Sequence, residues 1–537
     1  MLIRYTRTRS ALILLSALCI LSAVPSAIAF ADGGSGRQME IEISYTEFTW
    51  WMLRWLDDSK ACELKIDHED LPTGAEIYVQ CGKGVYAEWL ESIPCYKSTG
   101  KSAQECSGLY LHSISSEEQT KKIMVDLPVP TVRLDLKDCI SVPGSHLCAD
   151  VPVLLFTAEE PLPNEDILRV QGTINEIPFM CSGETCEVPL RPTGEGGVSL
   201  EFWADSTFRD SSTHYQGRIR VAEQVDQDQE TTSWQVDIVS NEFDLNNTEG
   251  CARIWQAFPP LGKPPDWLSN PQHVILLETN EPYTYLGGQL IQQGYVDTSH
   301  CDDFGLMEDG YASPCGMEAS RELVYLWQNT FDPFIVRTSA ETGIPSSLLK
   351  RIFATESQFW PETAEHLYLE YGFGHINELG ADTALLWNKD FYDQFCPLIL
   401  EAEKCLVGYP LLDDWSQVLL RGALLSDMEI TLPYNYYEID LEQVKESVSL
   451  FAETLLGNCT QVGQMISNEL DEVPGEVVSY EDLWRITLAN YHGGPGCVSD
   501  ALIEANNLEG SLDWERISTY IEPNCPWVLD YVDEIVN

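Results

Sequence analysis

The chain has 537 residues, 44% hydrophobic and 10% aromatic, which excludes a disordered protein and exceeds what one ordinary domain accommodates. Asp and Glu number 85 against 31 Lys and Arg, a net charge of −54. Such a surface repels nucleic acid, anionic membranes and anionic wall polymers, and reads first as a device for solubility or for life in salt.

The first 31 residues read as an export signal. Arg4, Arg7 and Arg9 precede the apolar run ALILLSALCILSAV, and PSAIAFAD offers small residues for cleavage after Ala29 or Ala31. Leu18 stands before Cys19, where a lipidation motif requires a small residue, so a soluble exported protein is expected. No later stretch reaches the ~18 apolar residues of a membrane span. Of the 17 cysteines, setting aside Cys19 leaves an even number, with close pairs at Cys139/Cys148, Cys181/Cys186, Cys301/Cys315 and Cys396/Cys405. Disulfides in an oxidising compartment follow. With no C-x-x-C spacing, no completing His pair and no acidic calcium loop, neither a metal nor a cofactor is expected.

Residues 32–230 read as all-β. The runs AEIYVQC, GLYLHSI, KIMVDL, PVLLFTA, VSLEFWA and GRIRVAEQV recur between Gly, Pro, Asn and Asp punctuation. A boundary near 127 separates a disulfide-containing domain (32–127, with Cys62, Cys81, Cys95 and Cys106) from a segment at 128–230 with the size of an immunoglobulin-like sandwich. In the latter, CSGETC is expected as a hairpin stapled by Cys181 and Cys186. Trp50, Trp51 and Trp55 read as buried packing, with a sugar-stacking patch as the alternative. The polar EQVDQDQETTSWQVD reads as a linker. The Pro-rich 231–318 reads as a connecting region tied down by Cys251, Cys301 and Cys315.

From 319 to 537 the pattern is helical. SRELVYLWQNTFDPFIVRTSAETG carries an apolar face, a Pro333 that kinks or splits it, and Gly343 as its stop. IPSSLLKRIFATESQF follows with Pro345 near its first turn. Further helices are expected at DTALLWN, QFCPLILEAEKCL, DWSQVLLRGALLSDM, LEQVKESVSLFAETLLGN, YEDLWRITLANY, DALIEANN and WERISTYIE. Trp327 and Trp387 read as core, and His68, His273 and His366 as surface or satisfied core histidines.

One residue breaks the helical pattern. Leu348, Leu349, Ile352 and Phe353 mark an apolar stripe, and Glu356 falls on it four residues after Ile352. Burial by Phe353, Phe359 and Trp360 would raise its pKa toward that of a general acid. A glycine-rich turn into a helix, EYGFGHINELGADTALL, begins at Glu370, and LANYHGGPG at 488–496 ends a helix beside Tyr491. An apolar helix with Glu-Ser, a glycine turn entering a helix, and Ala-x-Tyr-x-x-Gly-Pro-Gly, in this order, resemble the soluble lytic transglycosylases, whose fold is that of goose-type lysozyme. The resemblance covers roughly residues 320–537.

The resemblance implies a mainly α, lysozyme-like C-terminal domain behind the β-rich N-terminal half. It puts Glu356 at the catalytic acid/base position and Ser357 beside it. It puts Gly372 to His375 at the glycine turn and Tyr491 and His492 in the late motif, all as substrate-binding positions. His375 stands where the family has Gln, and His492 where it has Asn. The implied activity is cleavage of the glycosidic bond between N-acetylmuramic acid and N-acetylglucosamine in peptidoglycan, with one Glu and an anhydro-sugar product. Glu362, Glu365, Glu370, Glu378 and Asp382 are candidates for a second carboxylate, each read first as surface charge. Two alternatives remain: a lysozyme- or chitinase-type hydrolase, and a non-catalytic glycan-binding surface protein. The β domains would bind cell-surface components.

Overall fold

The computed structural model describes residues 37–92, 108–142, 145–226, 231–243, 250–262, 264–271, 273–361, 370–432, 435–506 and 512–537. They divide into two compact units between Pro128 and Val129.

In the first unit β1 (Gln38–Arg54), β2 (Lys60–Ile66) and β3 (Leu109–Asp126) form an antiparallel sheet in the order β2-β1-β3, with α1 (Gly74–Leu90) between β2 and β3 in sequence. AEIYVQC, expected as a strand, is the start of α1. Ile77, Val79 and Cys81 alternate as in a strand, but Thr73 and Glu76 close a capping box that starts a helix there. The Cys62–Cys81 disulfide ties α1 to β2 beside a small core of Met52, Leu64, Ile77 and Leu109. Trp50 packs on that core, Trp51 donates to Glu63, and Trp55 lies against Tyr110 with ring centroids 4.3 Å apart. Cys95 and Cys106 lie outside the described residues.

The second unit opens with eight strands: β4 (Thr131–Val142), β5 (Ser145–Glu159), β6 (Ile167–Ile174), β7 (Ile177–Ser182), β8 (Thr185–Pro189), β9 (Val198–Ser206), β10 (Tyr215–Asp226) and β11 (Thr231–Val239). They form one antiparallel sheet, β4-β5-β11-β10-β9-β6-β7, with β8 also on β5. β5 pairs with β11 near His146 and with β8 over Val153–Thr157, so the sheet curls around Leu154, Phe156, Val170, Phe202, Ile219 and Val236. Cys181 and Cys186 are bonded, but β7 ladders with β6 and β8 with β5. The disulfide therefore joins strands with different neighbours instead of closing the expected hairpin.

Residues 231–318, expected as a connecting region, are built into both cores. β11 is an inner strand. α2 (Gly250–Trp255) enters the helical core, where the fully buried Trp255 donates from Nε1 to the Cys459 carbonyl and Cys251 bonds Cys459. α3 (Thr284–Gln292) brings Leu286 and Leu290 against Val324 and Trp360. Arg218 of β10 locks sheet to helices by donating to the Gln256 and Gly475 carbonyls.

The long helical run breaks at Phe331 into α4 (Pro314–Thr330) and α5 (Asp332–Thr342), with Pro333 in the first turn of α5 and Gly343 closing it at φ 72°. α6 (Ser346–Ser357), α7 (Glu378–Trp387), α8 (Lys389–Ile399), α9 (Ala402–Cys405) and α10 (Asp414–Met428) follow. A short hairpin, β12 (Thr431–Leu432) and β13 (Asn435–Ile439), leads to α11 (Leu441–Leu470). α11 is the axis of the core and packs against α2, α5, α7, α10 and α13 (Tyr480–Gly493). It runs through Gly457-Asn458, which resembles a helix stop. Gly457 instead lets α7 approach, since a Cβ there would lie 2.9 Å from the Thr383 carbonyl. α12 (Pro474–Val477) precedes α13, and α14 (Pro495–Asn506), α15 (Trp514–Ile521) and α16 (Pro526–Val536) end the chain. Disulfides 139–148, 301–315, 396–405 and 497–525 complete the seven among the described residues.

Candidate active site

Glu356 lies in the last turn of α6, on a helix whose Leu348, Leu349, Ile352 and Phe353 are fully buried. Beyond Ser357 the backbone turns left-handed at Gln358 (φ 49°) and Phe359 (φ 61°), a conformation that costs about 1 kcal/mol or more per residue. Partners from other elements hold it there. The Gln358 side-chain carbonyl accepts from the amides of Tyr285 and Leu286 in α3, and Trp327 Nε1 donates to the Phe359 carbonyl at 2.9 Å. Phe359 and Trp360 turn into the core: Phe359 stacks with Phe331, and Trp360 joins the α3–α4 cluster. Ser357 is 3% exposed and donates to the Phe353 carbonyl, so its hydroxyl serves the helix.

The glycine turn is shaped by contact. Tyr371 and Ile376 exchange backbone hydrogen bonds of 2.9 and 3.0 Å. Gly372 has φ 69°, and a Cβ there would meet Ser447 Oγ at 2.6 Å. A Cβ on Gly374 would lie 2.0 Å from the Phe451 ring. The next residue, His375, is held at φ 50°, and its Nδ1 comes to 3.8 Å from Glu356 and 3.9 Å from Glu370. From α13, Tyr491 donates to the Gly374 carbonyl and His492 Nδ1 lies 4.0 Å from Glu356. Of the positions carried by the resemblance, Glu356, His375, Tyr491 and His492 therefore converge. Gly372 shapes the turn, and Ser357 stays outside the group.

The sequence did not single out Tyr531, on α16. Its ring stacks on His492 at 3.9 Å and lies beside Tyr491. Its buried hydroxyl is directed at the Glu356 carboxylate, without ordinary hydrogen-bond geometry to any acceptor among the described residues. Three contacts position α16: Arg351 donates to the Ile535 carbonyl at 2.7 Å, Cys525 bonds Cys497, and Val528 packs on Gly493. The apolar run PWVLDYVDEIV was the one available signal.

Burial raises the Glu356 pKa from 4.5 to about 7. The Tyr531 hydroxyl pulls it back, while the charges of Glu370 and Glu534 push it further up. Burial, reinforced by the charge of Glu356, also holds the phenols of Tyr491 and Tyr531 well above their ordinary value, so both remain neutral donors. Desolvation lowers the pKa of His492. The group thus offers one carboxyl balanced near neutrality, two imidazoles and two phenols. Among the other acidic candidates, Glu378 and Asp382 are engaged by Arg421, and Asp382 also accepts from Tyr409. Glu362, Glu365 and His366 lie outside the described residues.

A cavity of about 1070 Å³ opens elsewhere, between β10–β11 and the helical core. Of the charged residues that line it, Arg220 pairs with Asp237, and Lys350 pairs with the fully buried Asp332. Among the described residues the one cluster with metal-ligand spacing is His300, Cys301 and Cys315, whose two sulfurs are bonded to each other. No family model, curated protein or solved structure matches the chain.

Proposed function

We propose that the chain is a peptidoglycan-cleaving lytic transglycosylase with Glu356 as its single acid/base. The observation that carries the reading is the balance of Glu356 near pH 7 inside a group drawn from α6, the glycine turn, α13 and α16. A carboxyl with that pKa can donate a proton and take one back at neutral pH. Protonated Glu356 gives its proton to the glycosidic oxygen as the bond to the anomeric carbon breaks. The acetamido oxygen of the muramic acid stabilises the positive charge that develops there. The Glu356 carboxylate then removes the proton of the sugar's 6-hydroxyl, and that oxygen bonds to the anomeric carbon, closing the anhydro ring. The Tyr531 hydroxyl supports the carboxylate stage, in which Glu356 is charged. In this reading the helical region is a lysozyme-like domain, and the curled sheet is an immunoglobulin-like module that contacts cell-surface components.

The test is digestion of purified peptidoglycan by the mature protein and by Glu356→Gln, with the products read by mass spectrometry. Anhydro-muropeptides from the wild type alone support the proposal, and their absence across pH and salt overturns it. Glu370 motivates a second reading. Its carboxylate lies on the same His375 nitrogen as Glu356, so a water between them could be activated as in two-carboxylate hydrolases. Reducing-end products would identify that route.

A further inference from the structure

The first unit ends in a ribbon that its own core does not reach. β2 pairs with β1 only from Phe48 to Leu53, so among the described residues Gln38–Glu47 of β1 and Glu117–Asp126 of β3 have only each other as ladder partners. The core of Met52, Leu64, Ile77 and Leu109 lies at the other end of the sheet. Two strands without a third are marginal in water. The outer edge of β3 has no neighbouring strand among the described residues, and its side chains are exposed from His112 to Glu118 and from Thr120 to Lys122. The charges on this edge are segregated: Glu117 and Glu118 precede Gln119-Thr120, and Lys121 and Lys122 follow. Glu117 also faces Glu47 across the β1–β3 ladder, a like-charge pair that costs stability, while Lys65 ion-pairs with Glu47 at 2.7 Å. The open edge of β1 differs. Its Glu40, Glu42 and Glu47 carry one sign, the arrangement that keeps sheet edges apart.

We propose that two copies of the chain pair through β3, antiparallel about a two-fold axis at Gln119. A two-fold axis normal to a sheet sets one edge against itself antiparallel, with the axial residue opposite its own counterpart. Centred on Gln119, the register places Glu117 opposite Lys121 of the second copy and, by symmetry, Lys121 opposite the second Glu117. The edge is therefore its own electrostatic complement, which an unrelated strand would not be. Lys121 is free to turn to this partner. Its side chain is 45% exposed, and its contact with Asp67 at 3.3 Å is an exposed pair of small worth. Centring on Thr120 would instead ask Lys122 to leave Glu40, which it holds at 2.6 Å. The β1–β3 ladder shifts register between Ser115 and Ser113, which ends the new ladder at Ser115 and, by symmetry, at Ile123. The product is one continuous sheet in which the ribbon gains a third and a fourth strand, and each Glu117 gains a cation to offset Glu47.

The test is sedimentation velocity of the full mature chain over a dilution series, with the Glu117→Lys and Lys121→Glu variants run singly and mixed. Both positions are exposed, so the variants fold, which matched thermal melts verify. Expected is a monomer–dimer equilibrium in the wild type. Each single change sets like charges opposite each other twice and weakens dimerisation about tenfold or more. In the mixture the new lysine of one copy faces the new glutamate of the other, and the native Lys121 faces the native Glu117, so dimers return. A wild type that stays monomeric throughout, a dimer that either single change leaves intact, or a mixture that stays monomeric overturns the proposal.

Discussion

Glu356→Gln reports on the desolvation of the site independently of any substrate. The folded protein holds a proton on Glu356 up to about pH 7, whereas an ordinary carboxylate releases it near 4.5. Between those values the folded state binds more protons than the unfolded one, so stability falls as pH rises. The contribution is fully present below 4.5 and is lost as pH rises through 7. Since the side chain is only 13% exposed, solvent screens little of it, and the whole loss is about 3 kcal/mol. Glutamine has the same shape and does not titrate. The variant should therefore gain on the wild type by about 2–3 kcal/mol between pH 5 and pH 8. Denaturant titrations of both proteins at several pH values, read as the difference, cancel the other titrating groups. A difference that stays flat within about 0.5 kcal/mol would refute the claim that burial governs this carboxyl. In the same range, cleavage by the wild type should decline above pH 7 as the acid form disappears.

Glu370→Gln removes a like charge, so the Glu356 pKa should fall and the alkaline limb of the cleavage profile should move to lower pH. Gly374→Ala drives a methyl into the Phe451 ring and displaces the carbonyl that accepts from Tyr491; a loss of about 3 kcal/mol in denaturant titration is expected, together with lost cleavage. Lys350→Met strands the fully buried Asp332, at a cost of about 3–5 kcal/mol at neutral pH. Part of that stability should return in acid, because burial already holds the Asp332 pKa near 6, and Lys350→Met/Asp332→Leu should melt close to the wild type.

Where neighbouring residues decide the structure, the sequence was readable. Pro333 and Gly343 bounded helices as expected, and the four close cysteine pairs formed. The errors arose where local signals competed or where distant residues decided. In α1, strand-like alternation masked the Thr73–Glu76 box. In α11, the expected run ended at Asn458, whereas the helix continues to Leu470 and Gly457 serves the approach of α7, a tertiary fact. At the site, Glu356 stood out as a carboxylate on an apolar stripe, but its aromatic partner Tyr531 was hidden. Nothing local distinguishes a tyrosine on α16 that faces the carboxylate from one that faces the core. Glu370 looked like any other surface acid, and only the turn of Gly372 and Gly374 brings His375 between it and Glu356.

The Cys251–Cys459 disulfide imposes an order on oxidative maturation. Its partners are 208 residues apart, whereas those of 139–148, 181–186, 301–315 and 396–405 are at most 14 apart. Synthesised from the N-terminus, the chain can close each short pair soon after its second cysteine appears. The cysteines of two of those pairs, 301–315 and 396–405, appear after Cys251 and before Cys459 exists. Early closure of the short loops removes these rivals one after another, so the long-range bond forms with its own partner. A chain in which Cys301 or Cys315 is lost leaves a spare thiol in that interval, and its characteristic misfolded product is a scrambled bond to Cys251.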